Sequence, residues 1–484
     1  MKDSSYTPED GINRSDPVYE TRWKILAAIS MGVFLATIDA SIVNVALPTL
    51  EKAFTTRFAV VQWIPLAYML TVATLILSMG RLGDLKGKKK IYISGMAIFT
   101  IGSISCGLSQ SVYMLISFRI LQAVGAAMMA SLSTAIVTEA FPDSERGKAL
   151  GTIGGIVAIG IIAGPAMGGI LVDVLSWHWI FFVNVPIGIA GLYMVNRHLP
   201  DFRSETAQQF DFGGAGLMFV SVTSFLLALT VGQTRGFGDP LILAFFGVWA
   251  LSFCAFIAVE NRVAHPMIDL RLFRNKLFSL NLFSGFLSFV STAGVVLLMP
   301  FYLENVLGYD PHQVGLLLAV VPISAGIASP LAGILSDRVG TRPIATLGLF
   351  VLLLGFYALT TLSDQTTAMG YILRFIPVGL GLGIFQSPNN SAIMGAAPKE
   401  RLGTVSGLLS ITRTLGQTSG IAALGAVWAA RVAYYTGMHG HHNPTDMDVA
   451  AQVGGLQDTL IVISVMIAVA LIGNFATTVI KWRR

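Results

Sequence analysis

Charge is scarce in this 484-residue chain: Asp, Glu, Lys and Arg make up 12% of it, against 54% hydrophobic residues. A water-surrounded fold of this size needs far more polar surface, so a soluble globular protein is excluded. Cysteine is almost absent. Cys106 and Cys254 both lie in apolar stretches, where they read as packing residues, and no disulfide framework is implied. The first 22 residues are polar, with Pro8, Asp10, Asp16 and Glu20, and lack the apolar core of a secretory signal, so the first apolar stretch is expected to be retained. No glycine-rich nucleotide loop occurs, and no soluble segment is present to house one, which argues against a primary pump. An intramembrane enzyme needs a converging nucleophile and base, whereas the deep ionisable residues are Asp39, Arg119, Arg374 and Arg413. We therefore expect no enzyme, cofactor or metal centre.

What is abundant is apolar sequence in lengths that cross a bilayer. Fourteen stretches qualify: 23–47, 60–79, 91–109, 112–139, 148–172, 178–196, 213–232, 240–259, 278–303, 312–335, 344–363, 368–396, 403–432 and 458–480. An even number puts both termini on one side. The links on that side, from Lys2 and Arg14 through Arg81, Lys86 and Lys88 to Arg483 and Arg484, hold 24 Lys and Arg, against 4 on the other (Lys52, Arg57, Arg235 and Arg431). The positive-inside bias then predicts cytoplasmic termini, and it explains the formal charge of +5 without nucleic acid. The longest outer link, Tyr434 to Gln457, carries His439, His441 and His442 and reads as a solvated loop rather than a metal site.

Two links repeat. Gly80-Arg81-Leu82-Gly83-Asp84-Leu85-Lys86-Gly87 follows the second stretch, and Gly333-Ile334-Leu335-Ser336-Asp337-Arg338-Val339-Gly340 follows the tenth. In each an acid lies four residues after one glycine and three before another, with basic residues behind it. The glycines suit a tight turn, and the acid can meet a helix end or a basic partner. Downstream, Arg119 follows Asp84 by 35 residues and Arg374 follows Asp337 by 37. Recurrence of link, charge and depth predicts two related six-helix bundles, which around a midplane cavity describe an alternating-access transporter; a channel is the less favoured reading.

The chain resembles the major facilitator superfamily, in particular its fourteen-span drug/proton antiporter branch. The resemblance is carried by Gly80 to Lys89 and its second copy at Asp337, by Ile38-Asp39-Ala40-Ser41-Ile42-Val43-Asn44-Val45-Ala46-Leu47-Pro48, by Gly160 to Gly169 around Gly164-Pro165, and by Trp177 to Pro186. Ala123 stands where the family usually has glycine, and His178 where arginine is commoner. The resemblance implies an all-α integral membrane fold. Its expected parts are a cytoplasmic tail (1–22), an N-terminal six-helix bundle (23–200), an inserted two-helix hairpin with its links (201–276) and a C-terminal six-helix bundle (277–484). It further implies a monomer in the bacterial inner membrane, conferring antibiotic resistance by multidrug efflux of amphiphilic, cationic compounds against protons. Export of a lipid, siderophore or other endogenous amphiphile is the alternative.

Candidate working residues follow. Asp39 is the lone acid well inside a stretch, about 22 Å along the helix from Lys24; Arg119 lies about 10 Å in from Val112. Both positions fall at one depth, so the two can pair and exchange a proton, or form a permanent structural pair. The resemblance supports Arg119 in proton coupling. Gly80, Asp84, Gly87, Asp337, Arg338, Gly164 and Pro165 are assigned to conformational control, the Gly-Pro pair because it forces a bend or a close helix contact. Arg413, near the midplane, either faces an anionic substrate or locks onto backbone or a side chain such as Gln386 or Asn389; Arg374, Gln386, Asn389 and Asn390 are further gating or lining candidates.

Overall fold

The computed structural model describes residues 17–200, 212–263, 270–396, 402–437 and 443–482. Fourteen helices of 15 to 35 residues build it. They are α1 (Pro17–Val45), α2 (Trp63–Lys86), α3 (Lys88–Gly107), α4 (Val112–Ala140), α5 (Asp143–Val174), α6 (Asn184–His198) and α7 (Phe212–Arg235). The remainder are α8 (Pro240–Glu260), α9 (Lys276–Phe301), α10 (Val320–Val339), α11 (Thr341–Leu359), α12 (Ala368–Gly395), α13 (Leu402–Thr436) and α14 (Val449–Trp482). Helix is what the solvent demands, because hydrocarbon offers no partner for a free N–H or C=O. Among the described residues 13 segments are long and apolar enough to cross a membrane; α13, which carries Arg413, is not one of them. Helix starts are fixed by side chains: Ser111 Oγ accepts from Met114 N at 3.2 Å, Asn275 caps α9, and Thr367 Oγ1 accepts from Gly370 N at 3.1 Å.

The helices pack in two sets. In the first, α1 lies against α4, α5 and α6, α2 against α4, and α3 against α4 and α6. In the second, α12 lies against α10 and α11, and α14 against α9, α11 and α13. The pair α7 and α8 packs on itself and, through α7, on α13 and α2. Glycine permits the closest crossings in both sets. A Cβ on Gly125 of α4 would stand 2.4 Å from Gly95 O of α3, and one on Gly348 of α11 would stand 2.4 Å from Phe385 N of α12.

Two expectations change. The repeated links are not glycine turns over their whole length: α2 continues to Lys86 and α10 to Val339, so only Gly87 (φ 95°) and Gly340 (φ 100°) turn the chain. Gly83 serves packing instead, with its missing Cβ 2.4 Å from Leu132 of α4. The last helix starts at Val449, nine residues before the apolar run. Gln452 lets its polar first turns be buried, donating to Thr445 O and Met447 O at 3.1 and 2.7 Å.

The face carrying the start of α1 and the α2–α3 turn is called here the terminal face, its opposite the far face. At the far face the two sets meet. Lys52 Nζ lies 2.8 Å from Glu304, Asn443 and Thr445 donate to Glu51 Oε1 at 2.8 and 2.6 Å, and His312 Nδ1 is 3.0 Å from Asp173. Phe58 stacks edge-on with Phe301 and Trp428 at 5.1 and 4.9 Å. Backbones interlock as well: a Cβ on Gly169 would sit 2.3 Å from Pro311 O, and one on Gly315 2.2 Å from Pro165 O. One face of α5 carries Gly169, Ile162, Gly155 and Gly151 at helical spacing. Ile162 still reaches Gly326 of α10, at 3.7 Å from its missing Cβ, but Gly155 and Gly151 have nothing within 4 Å. The sets therefore close at the far face and part toward the terminal face.

Candidate functional site: a buried carboxylate and guanidinium

Asp39 and Arg119 meet inside the first set. Arg119 Nη1 donates to Asp39 Oδ2 at 2.5 Å, and both side chains are sealed, at 0% and 1% exposure. Asp39 is six residues from the end of α1 and Arg119 seven from the start of α4, so both lie about 10 Å below the far face. Their shared depth was legible from residue counting.

The rest of the network was not. Arg119 and Gln122 share a face of α4 at i, i+3 spacing. Gln122 Oε1 accepts from Arg119 Nη1 at 2.7 Å, while Gln122 Nε2 donates to Asp39 Oδ1 at 2.8 Å and to Ser103 Oγ at 2.7 Å. Asn184, the first residue of α6, donates to Asp39 Oδ1 at 3.0 Å. Arg119 Nε reaches Ile64 O at 3.4 Å, and its guanidinium lies 4.2 Å from the Tyr68 ring centroid. Three donors thus satisfy the carboxylate, and a carboxylate, an amide oxygen, a carbonyl and a ring face surround the cation. That arrangement is the condition for keeping two charges out of water. Glycine brings the helices in: Gly102 of α3 lies where a Cβ would be 2.7 Å from Gln122 Cα, and Gly188 of α6 where one would be 2.2 Å from Thr100. Gln122 and Asn184 were open to discovery as polar residues in apolar stretches, one of them a helical step from Arg119. Sequence could not orient them.

Around this site the fifth helix packs closely on the first. Pro165 lies inside a continuous α5, and Gly160, Gly164 and Gly168 press on α1, where a Gly164 Cβ would stand 1.9 Å from Ser41 Oγ. Ser41, two residues beyond Asp39, donates to Gly160 O at 3.0 Å. Pro165, through its carbonyl, also abuts Gly315 of the second set. One helix accordingly links the ion pair to the contact between sets.

Residues 29–421 match the profile of the Major Facilitator Superfamily. The chain belongs to that superfamily. Its similarity to curated members is broad: it is 35% identical to the riboflavin transporter RibZ of Clostridioides difficile over 85% of this chain and 90% of that one. It is 35% identical to the multidrug resistance protein Stp of Mycobacterium tuberculosis, covering 85% and 76%, and 31% identical to the tetracenomycin C resistance and export protein of Streptomyces glaucescens, covering 88% and 79%. Among solved folds, a bacterial homologue of the lysosomal transporter Spinster superposes with a TM-score of 0.68 at 18% identity, covering 96% and 97% of the two chains. Membership of this superfamily identifies a multi-pass membrane transporter.

Other candidates of this transporter fall elsewhere. Arg374 does not reproduce the pairing of Arg119: it is near the far-face start of α12, half-buried, and donates to Thr361 Oγ1 at 2.8 Å and to Gly370 O of its own helix at 3.0 Å. Arg413 has exposed surface though it lies deep among the helices, and it makes no hydrogen bond or ion pair among the described residues, so neither Gln386 nor Asn389 locks it. Asn389 is buried beside Gly285 of α9, Gln386 is half-buried and Asn390 is exposed. Gly80 packs over Ser131, and Arg338 is exposed at the end of α10. The side chains of Asp84 and Asp337, and all of His439, His441 and His442, lie outside the described residues.

Proposed function

We propose that the chain is a proton-coupled antiporter that exports amphiphilic, cationic compounds by alternating access. In this reading the two helix sets are the two six-helix bundles, α7 and α8 are an inserted hairpin, all fourteen helices cross the inner membrane, and the terminal face is cytoplasmic. The monomer suffices. The single observation that carries the proposal is the sealed Asp39–Arg119 pair. Protonating Asp39 removes the charge that balances the guanidinium, leaving Arg119 with Gln122 Oε1, Ile64 O and the Tyr68 face as partners. Five helices hold this network, so a change of partner alters the seat of α1, and Ser41 passes that change to α5 and the far-face closure. With Asp39 at 0% exposure, a cationic substrate does not touch it in this arrangement. Competition between substrate and proton then acts through the conformation and not at one carboxylate. The names of two relatives, a multidrug resistance protein and a tetracenomycin C resistance and export protein, agree with efflux.

A second reading, export of an endogenous amphiphile with an anionic group, is favoured by one feature: Arg413, midway through the membrane, is accessible and unpaired among the described residues. A riboflavin transporter among the relatives agrees with a metabolite as cargo but not with a charge on it. Reconstituted transport of a substrate panel under imposed pH gradients, without nucleotide, tests both. Cation export that follows the proton gradient and is lost in Asp39→Asn supports the first reading. Export indifferent to the gradient refutes antiport, and selective movement of anionic metabolites promotes the second.

A further inference from the structure

An apolar cleft of about 550 Å³ lies between the α7–α8 pair and helices α9 and α13. Its walls include Val222 of α7, Phe253 of α8, Leu282 and Phe283 of α9, and Leu415 of α13. Along α9 it runs from Ser279 to Phe286, three to ten residues from the helix start, which spans depths of about 5–15 Å. That is one leaflet of hydrocarbon at the terminal face. Phe253, Phe273 and Phe283 remain 47%, 38% and 48% exposed, and α8 turns Leu243 and Leu251 outward at 57% and 74%, so the cleft adjoins lipid. Its mouth is basic. Phe273 is followed by the exposed Arg274 and Lys276, and exposed Arg262 lies two residues past the end of the neighbouring α8, while the nearby acid Glu260 is buried. Ser279 Oγ donates to Phe273 O at 2.8 Å and holds this rim against α9.

We propose that the cleft is a binding site for an anionic phospholipid, its acyl chain between α7, α9 and α13 and its phosphate at Arg274 and Lys276. Depth, apolar walls and charge match the two parts of such a lipid, and a basic rim disfavours a cationic amphiphile. The inserted hairpin thereby gains a role: it makes one wall of a lipid seat beside α13, the helix that carries Arg413.

The test uses the purified full chain in mixed micelles with a phosphatidylglycerol that bears a diazirine in its acyl chain, beside a phosphatidylcholine with the same chain. The expected result is photolabel on the α9 and α13 peptides, with phosphatidylglycerol preferred. Arg274→Glu with Lys276→Glu should cut that preference roughly tenfold, and Val222→Trp should block both probes. The charge variant changes only exposed side chains, so it stays informative if the Trp variant fails to fold. Equal labelling by the two lipids, label confined to helices that do not line the cleft, no label, or displacement by a transported drug would each overturn the assignment.

Discussion

Asp39→Asn is the most informative perturbation. The substitution keeps the shape of the side chain and removes its charge, while Arg119 stays 1% exposed and ionised. Removing one partner of a buried ion pair costs about 3–5 kcal/mol, because the other charge is left uncompensated. Hydrogen bonding worsens matters. Asp39 accepts from Arg119 on one oxygen and from Gln122 and Asn184 on the other, so an Asn amide nitrogen must face a donor whichever way it is turned. Gln122 Oε1, Ile64 O and the Tyr68 ring offset part of the loss. We expect a net destabilisation of about 3 kcal/mol, a thermal transition lower by roughly 3 °C, and loss of pH-driven exchange in proteoliposomes. The double variant Asp39→Leu with Arg119→Met removes both charges and should recover most of the stability without recovering exchange. A double variant no more stable than the single one would refute the claim that an unbalanced charge is the cause. Full pH-driven exchange in folded Asp39→Asn would leave antiport standing and reject Asp39 as the proton carrier.

Burial at the far-face closure raises the Glu51 carboxyl above its ordinary range, with donation from Thr445 and Asn443 opposing the shift. The closed far face therefore binds a proton more tightly than an open one and should gain population as far-side pH falls; spin-label distances between Arg57 and Asp448 positions should show this, and Glu51→Gln should abolish it. Gly164→Ala forces a Cβ to 1.9 Å from Ser41 Oγ and should disrupt folding or transport, whereas Gly154→Ala, with nothing within 4 Å, should be neutral or stabilising by up to about 1 kcal/mol; equal effects in thermal unfolding would count against the packing account. Asp84→Asn should slow alternating access at unchanged abundance, and unaltered transport rates would sink that role. Cysteines at exposed Lys90 and Asp364 in a Cys-free background should be labelled from outside intact cells only at position 364; labelling at 90 would reverse the orientation.

The helical membrane fold was written in the sequence because hydrocarbon leaves backbone polar groups one local solution, and apolar length reports it directly. The links and the common depth of Asp39 and Arg119 were readable for the same reason: a helix advances by a fixed rise, so residue number measures depth. Rotation about the axis is not local. Whether Asp39 faces a cavity or the inside of a bundle depends on how α1 seats on α3, α4 and α6, and that was decided by contacts such as Gly102 on Gln122 and Gly188 on Thr100. Arg374 shows the limit of repeat reasoning, for its spacing copies that of Arg119 while its partner is Thr361 on a loop. Gly80 and Gly83 show another, since their place in a helix rather than a turn depends on α4 lying against them. Sequence determined the elements, their depth and the charges they carry. Only tertiary packing decided which charges meet and which face stands open, because those depend on side chains from several helices converging at one place.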